Sequence, residues 1–175
     1  MKKEYLRQIV AVMLSVCMIL SNLTTVMAES AVGTTLRLMK TEGEVGISNS
    51  SGKQISLIQD MKLYNGYHVE TQKESYAWIN LDSEKLTKLD AVSEAEIRQK
   101  GKELEILLNS GNLYFNVSNP LDNDETLNIR TSSMVVGIRG TAGWVKVINQ
   151  WHSSIYVLEG TVLCSVTDPV SGQTK

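Results

Sequence analysis

From Thr35 onward the chain is written in short runs in which apolar side chains take every second position, broken by Gly, Asn, Asp and Ser. A period of two gives a strand one face for a core and one for solvent, and a helix cannot hold that pattern on one side. The runs TLRLMK (35–40), EVGISN (44–49), KQISLI (53–58), YAWINL (76–81), KLTKL (85–89), ELEILL (103–108), NLYFNV (112–117), TLNIR (126–130), WVKV (144–147) and SIYVLEG (154–160) are therefore predicted to be half-buried strands. Between them NSSG (49–52), YNG (64–66), QKG (99–101) and NSG (109–111) each supply a glycine for a turn. DAVSEAEIRQ, from Asp90, hints at a helical turn, but AVSEAEI alternates equally well and is assigned to the sheet. The expected fold is all-β: short antiparallel strands in a two-layer sandwich or an irregular solenoid-like wind, preceded by a helical signal peptide.

The amino end departs from this pattern. Lys2, Lys3 and Arg7 precede the apolar run Ile9 to Leu20, and Val26 and Ala28 stand three and one residues before a natural signal-peptidase cut. The run is shorter than the roughly 20 residues that span a bilayer as a helix. Cleavage after Ala28 is expected, with retention as an uncleaved anchor the alternative. The stretch ending at Cys17 does not fit a lipidation site, because Val16 is too large and the cysteine lies inside the apolar core. The leader takes three of the 17 basic and one of the 19 acidic residues with it, leaving 14 against 18 in 147 residues. That length is one domain, and its mildly acidic charge argues against nucleic-acid binding. Loss of Cys17 leaves Cys164 alone in TVLCSV, so no internal disulfide forms, and alternation predicts Cys164 to be a buried small hydrophobe.

A loose internal echo points to a wound architecture. ILLNSGNLYFNV (106–117) and IYVLEGTVLCSV (155–166) share an apolar stretch, a glycine and then alternating apolar positions, and ISLIQDMKLYNGYHV (55–69) is a looser version. Their glycines Gly66, Gly111 and Gly160 are 45 and 49 residues apart. Pro120 opens the polar loop LDNDE, and Pro169 follows the last run. Because SGQTK comes directly after a strand that nothing visibly caps, the sequence is expected to be a segment of something longer.

The stretch SMVVGIRGTAGWVKV (133–147) is the candidate for function, with Gly137, Gly140 and Gly143 three apart. Phosphate loops use other glycine spacings and lead into a helix, whereas here a strand follows, which excludes a nucleotide cradle. His68 and His152 stand in no metal-ligand spacing, no nucleophile elbow occurs, and DNDE (122–125) lacks the glycine and distal glutamate of a calcium loop. Both histidines are read as ordinary surface or edge residues and DNDE as a solvated tip. NVS (116–118) matches a glycosylation triplet only formally. What these residues suit is architecture: glycines in a strand mark a bulge or a close backbone approach, Thr141 can close a hydrogen bond at the bend, and an arginine among apolar neighbours is costly unless bonded. Arg139 is thus expected to staple a kinked strand to the neighbouring sheet. No catalytic set, cofactor or metal is expected.

VVGIRGT followed by WVKV resembles the signature of the FecR-type domain. GKQISLIQDMKLYNGYHVET is similar to that family's opening, although Gln59 to Met61 stand where a glycine is often found. SYAWINLDSEKLTKLDAVSEAEI resembles its strand pair, with Ser83 and Glu84 in place of the usual Gly. LEILLNSGNLYFNV and SIYVLEGTVLCSV resemble its later strands, and the five motifs in order cover residues 42 to 166. The resulting division is a signal peptide (1–28), a lead-in (29–41), the FecR-type β domain (42–166) and a tail (167–175). The resemblance implies an all-β, extracytoplasmic module of the cell envelope, of the kind found in regulators of extracytoplasmic-function sigma factors that respond to iron-carrier uptake. It marks Gly137, Arg139, Gly140, Thr141, Trp144, Gly111 and Gly160 as motif residues, structural or interacting. Two functions are compatible with it. One is a non-catalytic protein-interaction or signalling module that meets an extracytoplasmic protein through exposed strand edges, touching membrane only through an uncleaved leader. The other is an envelope carbohydrate-binding domain that uses Trp78, Trp144 and Trp151 as a stacking platform. Since Trp78 and Trp144 fall in alternating strands and are expected in the core, the first is preferred.

Overall fold

The computed structural model describes residues 36–80, 85–117, 119, 121 and 125–166. The expected leader (1–28), the tail (167–175) and residues 122–124 of the acidic tip lie outside the described residues. The described chain is all-β. Its strands are β1 (Arg37–Glu42), β2 (Val45–Ser48), β3 (Met61–Lys62), β4 (His68–Thr71), β5 (Tyr76–Asn80), β6 (Lys85–Leu89), β7 (Ser93–Lys100), β8 (Glu103–Val117), β9 (Thr126–Arg130), β10 (Met134–Asn149) and β11 (His152–Val166).

All eleven join in one sheet, and three of them are far longer than the rest. The length matters because the two ends of β8 and β10 have different neighbours. Residues 103–108 of β8 lie between β7 and, in parallel, β9, whereas residues 113–117 lie between β6 and β10. In β10, residues 135–138 pair with β9 and residues 142–147 with β8, and β11 follows β10 along both parts. The sheet thereby folds over itself into two layers, one running through β2, β4, β7 and β9 and the other through β3, β1, β5 and β6. Leu104, Ile106, Ile129 and Val136 from the first layer share a single core with Ile79, Leu89, Phe115 and Val145 from the second.

A strand that bends from one layer to the other must change which of its alternate residues point inward. In β8 the buried positions are Leu104, Ile106 and Leu108, then Leu113, Phe115 and Val117, so the phase slips by one residue between them. The slip sits at Gly111, whose φ is +82°, and the pairing register with β7 shifts at the same place. A side chain at 111 would collide with Ser93, whose hydroxyl takes the Asn112 amide at 2.9 Å. β10 repeats the device, with Met134, Val136 and Ile138 buried before Gly140 and Thr141 and Val145 after it. One extra residue on one strand is a β-bulge, which bends the strand and increases its twist.

Two expectations are corrected here. NSG (109–111) is no turn between two strands but the bulge inside a single 15-residue strand. KQISLI forms no strand beyond a bridge from Gln54 to Ser48 and the Ile55 amide bonded to the Ile47 carbonyl at 2.8 Å. Its alternation finds no continuing neighbour, and Leu57 and Ile58 are exposed.

Candidate interaction site

The stretch from Gly137 to Trp144 lies in the middle of β10, where it crosses from layer to layer beside β11. Gly140 has φ +63° and Gly160, across from it on β11, has φ +86°. A Cβ on Gly160 would lie 2.5 Å from the Gly140 carbonyl oxygen, so the two backbones approach as only glycine permits. The corner is fastened by Thr141, which is buried and whose hydroxyl lies 2.8 Å from the Thr161 carbonyl and 3.2 Å from that of Arg139. The hydrogen bond expected of Thr141 at the bend is present.

Arg139 does not do the stapling expected of it. Its side chain is exposed, and among the described residues the guanidinium makes no hydrogen bond or ion pair. The reason is alternation: Ile138 points into the core, so the next side chain faces solvent, and the bulge at Gly140 then brings Thr141 inward. The other described arginines are all engaged. Arg37 meets Asp60 at 2.8 Å, Arg130 meets Glu105 at 2.8 Å, and Arg98 meets Glu96 at 2.9 Å and Glu105 at 3.4 Å. The hydrogen bond from Arg98 holds the Glu96 carboxyl below the usual carboxylate range and raises the Arg98 guanidinium in return.

The tryptophans are also placed differently from expectation. Trp78 and Trp144 are half-buried on the outer faces of their strands, because the inward positions belong to Ala77, Ile79 and Val145. Pairing lines them up in one row: Lys40 opposite Trp78, Trp78 opposite Lys88, Lys88 opposite Tyr114, Tyr114 opposite Trp144, and Trp144 opposite Tyr156. Within the row the rings are occupied by each other and by ammonium groups. Lys40 Nζ stands 4.7 Å and Lys88 Nζ 5.4 Å from the Trp78 ring centre, and Tyr114 and Trp144 lie 5.1 Å apart with planes tilted by 53°. Trp151 belongs to the turn joining β10 to β11, away from both.

What the sequence reading missed is the flank of β11. Among the described strands β11 pairs with β10 and no other, so one edge of a 15-residue strand carries open amides and carbonyls. The other strands paired on one side, β2 and β3, are four and two residues long. Tyr156, Val157, Leu158, Leu163 and Val166 are exposed on β11, from 42% for Val157 to 75% for Leu163, and its only acidic or basic residues are Glu159 and His152. Natural sheets usually keep such edges short or charged. Cys164, expected to be buried, is exposed on the same strand, for the same lack of a covering neighbour. Partial desolvation nonetheless pushes its thiol pKa up, so it is no activated thiolate. Beside this edge a groove of about 500 Å³ is lined by Leu121, Leu127, Ile138, Arg139, Val162 and Leu163. Glu125, also in its wall, is held by Lys85 at 2.8 Å. His68 and His152 do not approach the groove. Among the described residues no group of three His, Cys, Asp or Glu side chains is placed to hold a metal ion.

Bent strands around one core, a motif at the bend and an open apolar edge define a β module whose distinctive surface is built for contact. The FecR family model (FecR protein) matches residues 67–163, more than half of the sequence and including Gly111, the Gly137 to Trp144 stretch and Gly160. The chain belongs to the FecR family, and with it to a class of regulatory, signalling modules. Two solved structures, at 1.65 and 2.50 Å, of a protein assigned as an anti-sigma factor from Parabacteroides distasonis are similar at 14% identity. Their TM-scores are 0.43 and 0.42, with 62% of this chain and 57% of theirs covered, so the similarity spans little more than half of those proteins. A comparison with curated proteins found no match.

Proposed function

We propose that this chain is an exported, non-catalytic signalling module that holds an extracytoplasmic protein partner by strand addition at the free edge of β11. The observation that carries the reading is the edge itself, long, apolar and unpaired among the described strands. A partner strand laid along it gains main-chain hydrogen bonds, and alternate side chains supply specificity. Export is inferred from the basic, apolar and small-residue zones of residues 1–28. The carbohydrate reading is less well supported, since the three indoles form no common platform and the faces of Trp78 already meet Lys40 and Lys88.

The test is capture from an envelope extract by the full chain, compared with variants Leu158→Lys and Leu163→Lys, which put a charge on the edge without touching the core. A partner held by the wild type and lost by both variants supports strand addition; undiminished capture by the variants overturns it. Mass spectrometry of the envelope and secreted fractions is expected to find an N-terminus at Glu29, and recovery of the chain with Met1 intact would overturn leader cleavage.

A further inference from the structure

We propose that Arg139 is an anchor for a carboxylate carried by an extended, apolar peptide segment of the partner, seated in the groove beside β11. The inference rests on the strand-addition reading and adds the chemistry of what is added.

Four observations converge on it. The first is electrostatic: of the four described arginines, Arg37, Arg98 and Arg130 each have a carboxylate, and Arg139 has none among the described residues. A guanidinium stays charged at any ordinary pH and presents a planar fork suited to bidentate carboxylate binding. The second is that its backbone is fixed beforehand. The hydroxyl of buried Thr141 reaches the carbonyls of Thr161 and Arg139, and Gly140 and Gly160 set the bend, so binding orders the arginine side chain but not the backbone that carries it.

The third is the groove. Its walls combine the aliphatic Leu121, Leu127, Ile138, Val162 and Leu163 with the neutral polar Thr126, Asn128 and Thr161, and the acid among its lining residues, Glu125, is already paired with Lys85. Among the described residues Arg139 is therefore the lining charge that no counter-charge meets. Gly137 lines the same groove, and crowding does not explain it: a Cβ there would meet Asn128 and Leu163 only at 3.5 to 3.7 Å, ordinary contact distances. What the missing side chain does is leave the groove open. The fourth is continuity, because Thr161, Val162 and Leu163 belong both to the groove and to the unpaired edge. A strand paired along that edge would bring its side chains over the groove at every second residue. This favours an extended peptide over an acyl chain, which would use the apolar walls and the guanidinium but not the open amides.

The full chain is used to select binders from a random library of ten-residue peptides, in parallel with Arg139→Glu, which alters an exposed side chain and should melt at the wild-type temperature. Wild-type binders are expected to alternate apolar residues and carry one Asp or Glu at a fixed position, and Arg139→Glu to select Lys or Arg there. Replacing that acid by its amide in a selected peptide should weaken binding by about tenfold. An acid preference unchanged by Arg139→Glu, or none in the wild type, overturns the anchor. Leu163→Lys separates the two readings. Peptides lost on this variant but without acid preference leave strand addition standing and remove the anchor. Acid-bearing peptides that bind Leu163→Lys undiminished remove strand addition and keep the anchor. No enriched peptide, or displacement of every peptide by decanoate, overturns the assignment of a peptide occupant.

Discussion

β8 and β11 are two versions of one element. Each is 15 residues long, each bends at a glycine of positive φ, and each is written as apolar stretch, glycine, apolar alternation. Yet β8 has a neighbour on both sides along each of its two arms and buries Ile106, Leu113 and Phe115 completely, whereas β11 has a neighbour on one side and leaves Leu163 three-quarters exposed. In these two elements alternation around a glycine goes with a strand and the place where it bends, while the number of neighbours, which for KQISLI falls to one isolated bridge, is fixed by the rest of the chain.

The comparison breaks most visibly by truncation. Phe115→Ala on β8 is expected to destabilise by about 3–5 kcal/mol, as for a fully buried aromatic, and Leu163→Ala on β11 by under about 0.5 kcal/mol. Paired thermal or denaturant unfolding would show it, and equal losses would mean that β11 is covered in solution. Next in size is Gly160→Ala, which forces a side chain into a left-handed backbone against the Gly140 carbonyl and should cost roughly 1–3 kcal/mol. A neutral result there would place the bend elsewhere. Thr141→Val removes the hydroxyl that fastens the corner and should lower stability by about 1 kcal/mol. Arg139→Ala, by contrast, should leave the melting curve within about 0.5 kcal/mol of wild type.

A small, pH-dependent effect belongs to the fully paired side of the sheet. The Glu96 carboxyl is lowered by its hydrogen bond with Arg98, so its folded pKa lies below the unfolded one. The stability it contributes is complete above the unfolded carboxyl value of about 4.3 and disappears as pH falls through the folded value. Glu96→Gln should remove roughly 0.5 kcal/mol at neutral pH and flatten the acid limb of a stability profile below about pH 4.3, measured against wild type.

Much of this was readable beforehand, and the failures have physical causes. The slip from Leu104, Ile106 and Leu108 to Leu113, Phe115 and Val117 is visible in the letters, as is the corresponding slip across Gly140. A glycine at such a slip fits a bulge as well as a turn, and only the neighbouring strands decide, which is why NSG was expected to end a strand. Alternation also says which residues share a face without saying which face is inner. Tyr76 and Trp78 compete with Ala77 and Ile79, and the smaller aliphatic set won the core. The apolar neighbours of Arg139 suggest a buried arginine, but in a strand the residue next to an inward Ile138 faces outward. The open edge was the least legible feature, since being unpaired is a property of what is not beside a strand. Its one trace was TVLCSV, a run with no charge to guard it.

The brevity of β2 and β3 has a consequence of its own. Stacking of sheets end to end into a fibre requires two adhesive margins on every copy, one to receive and one to offer. Among the described strands this molecule has one margin of useful length, so copies of this chain joined through it would stop at a pair and not grow into a fibre.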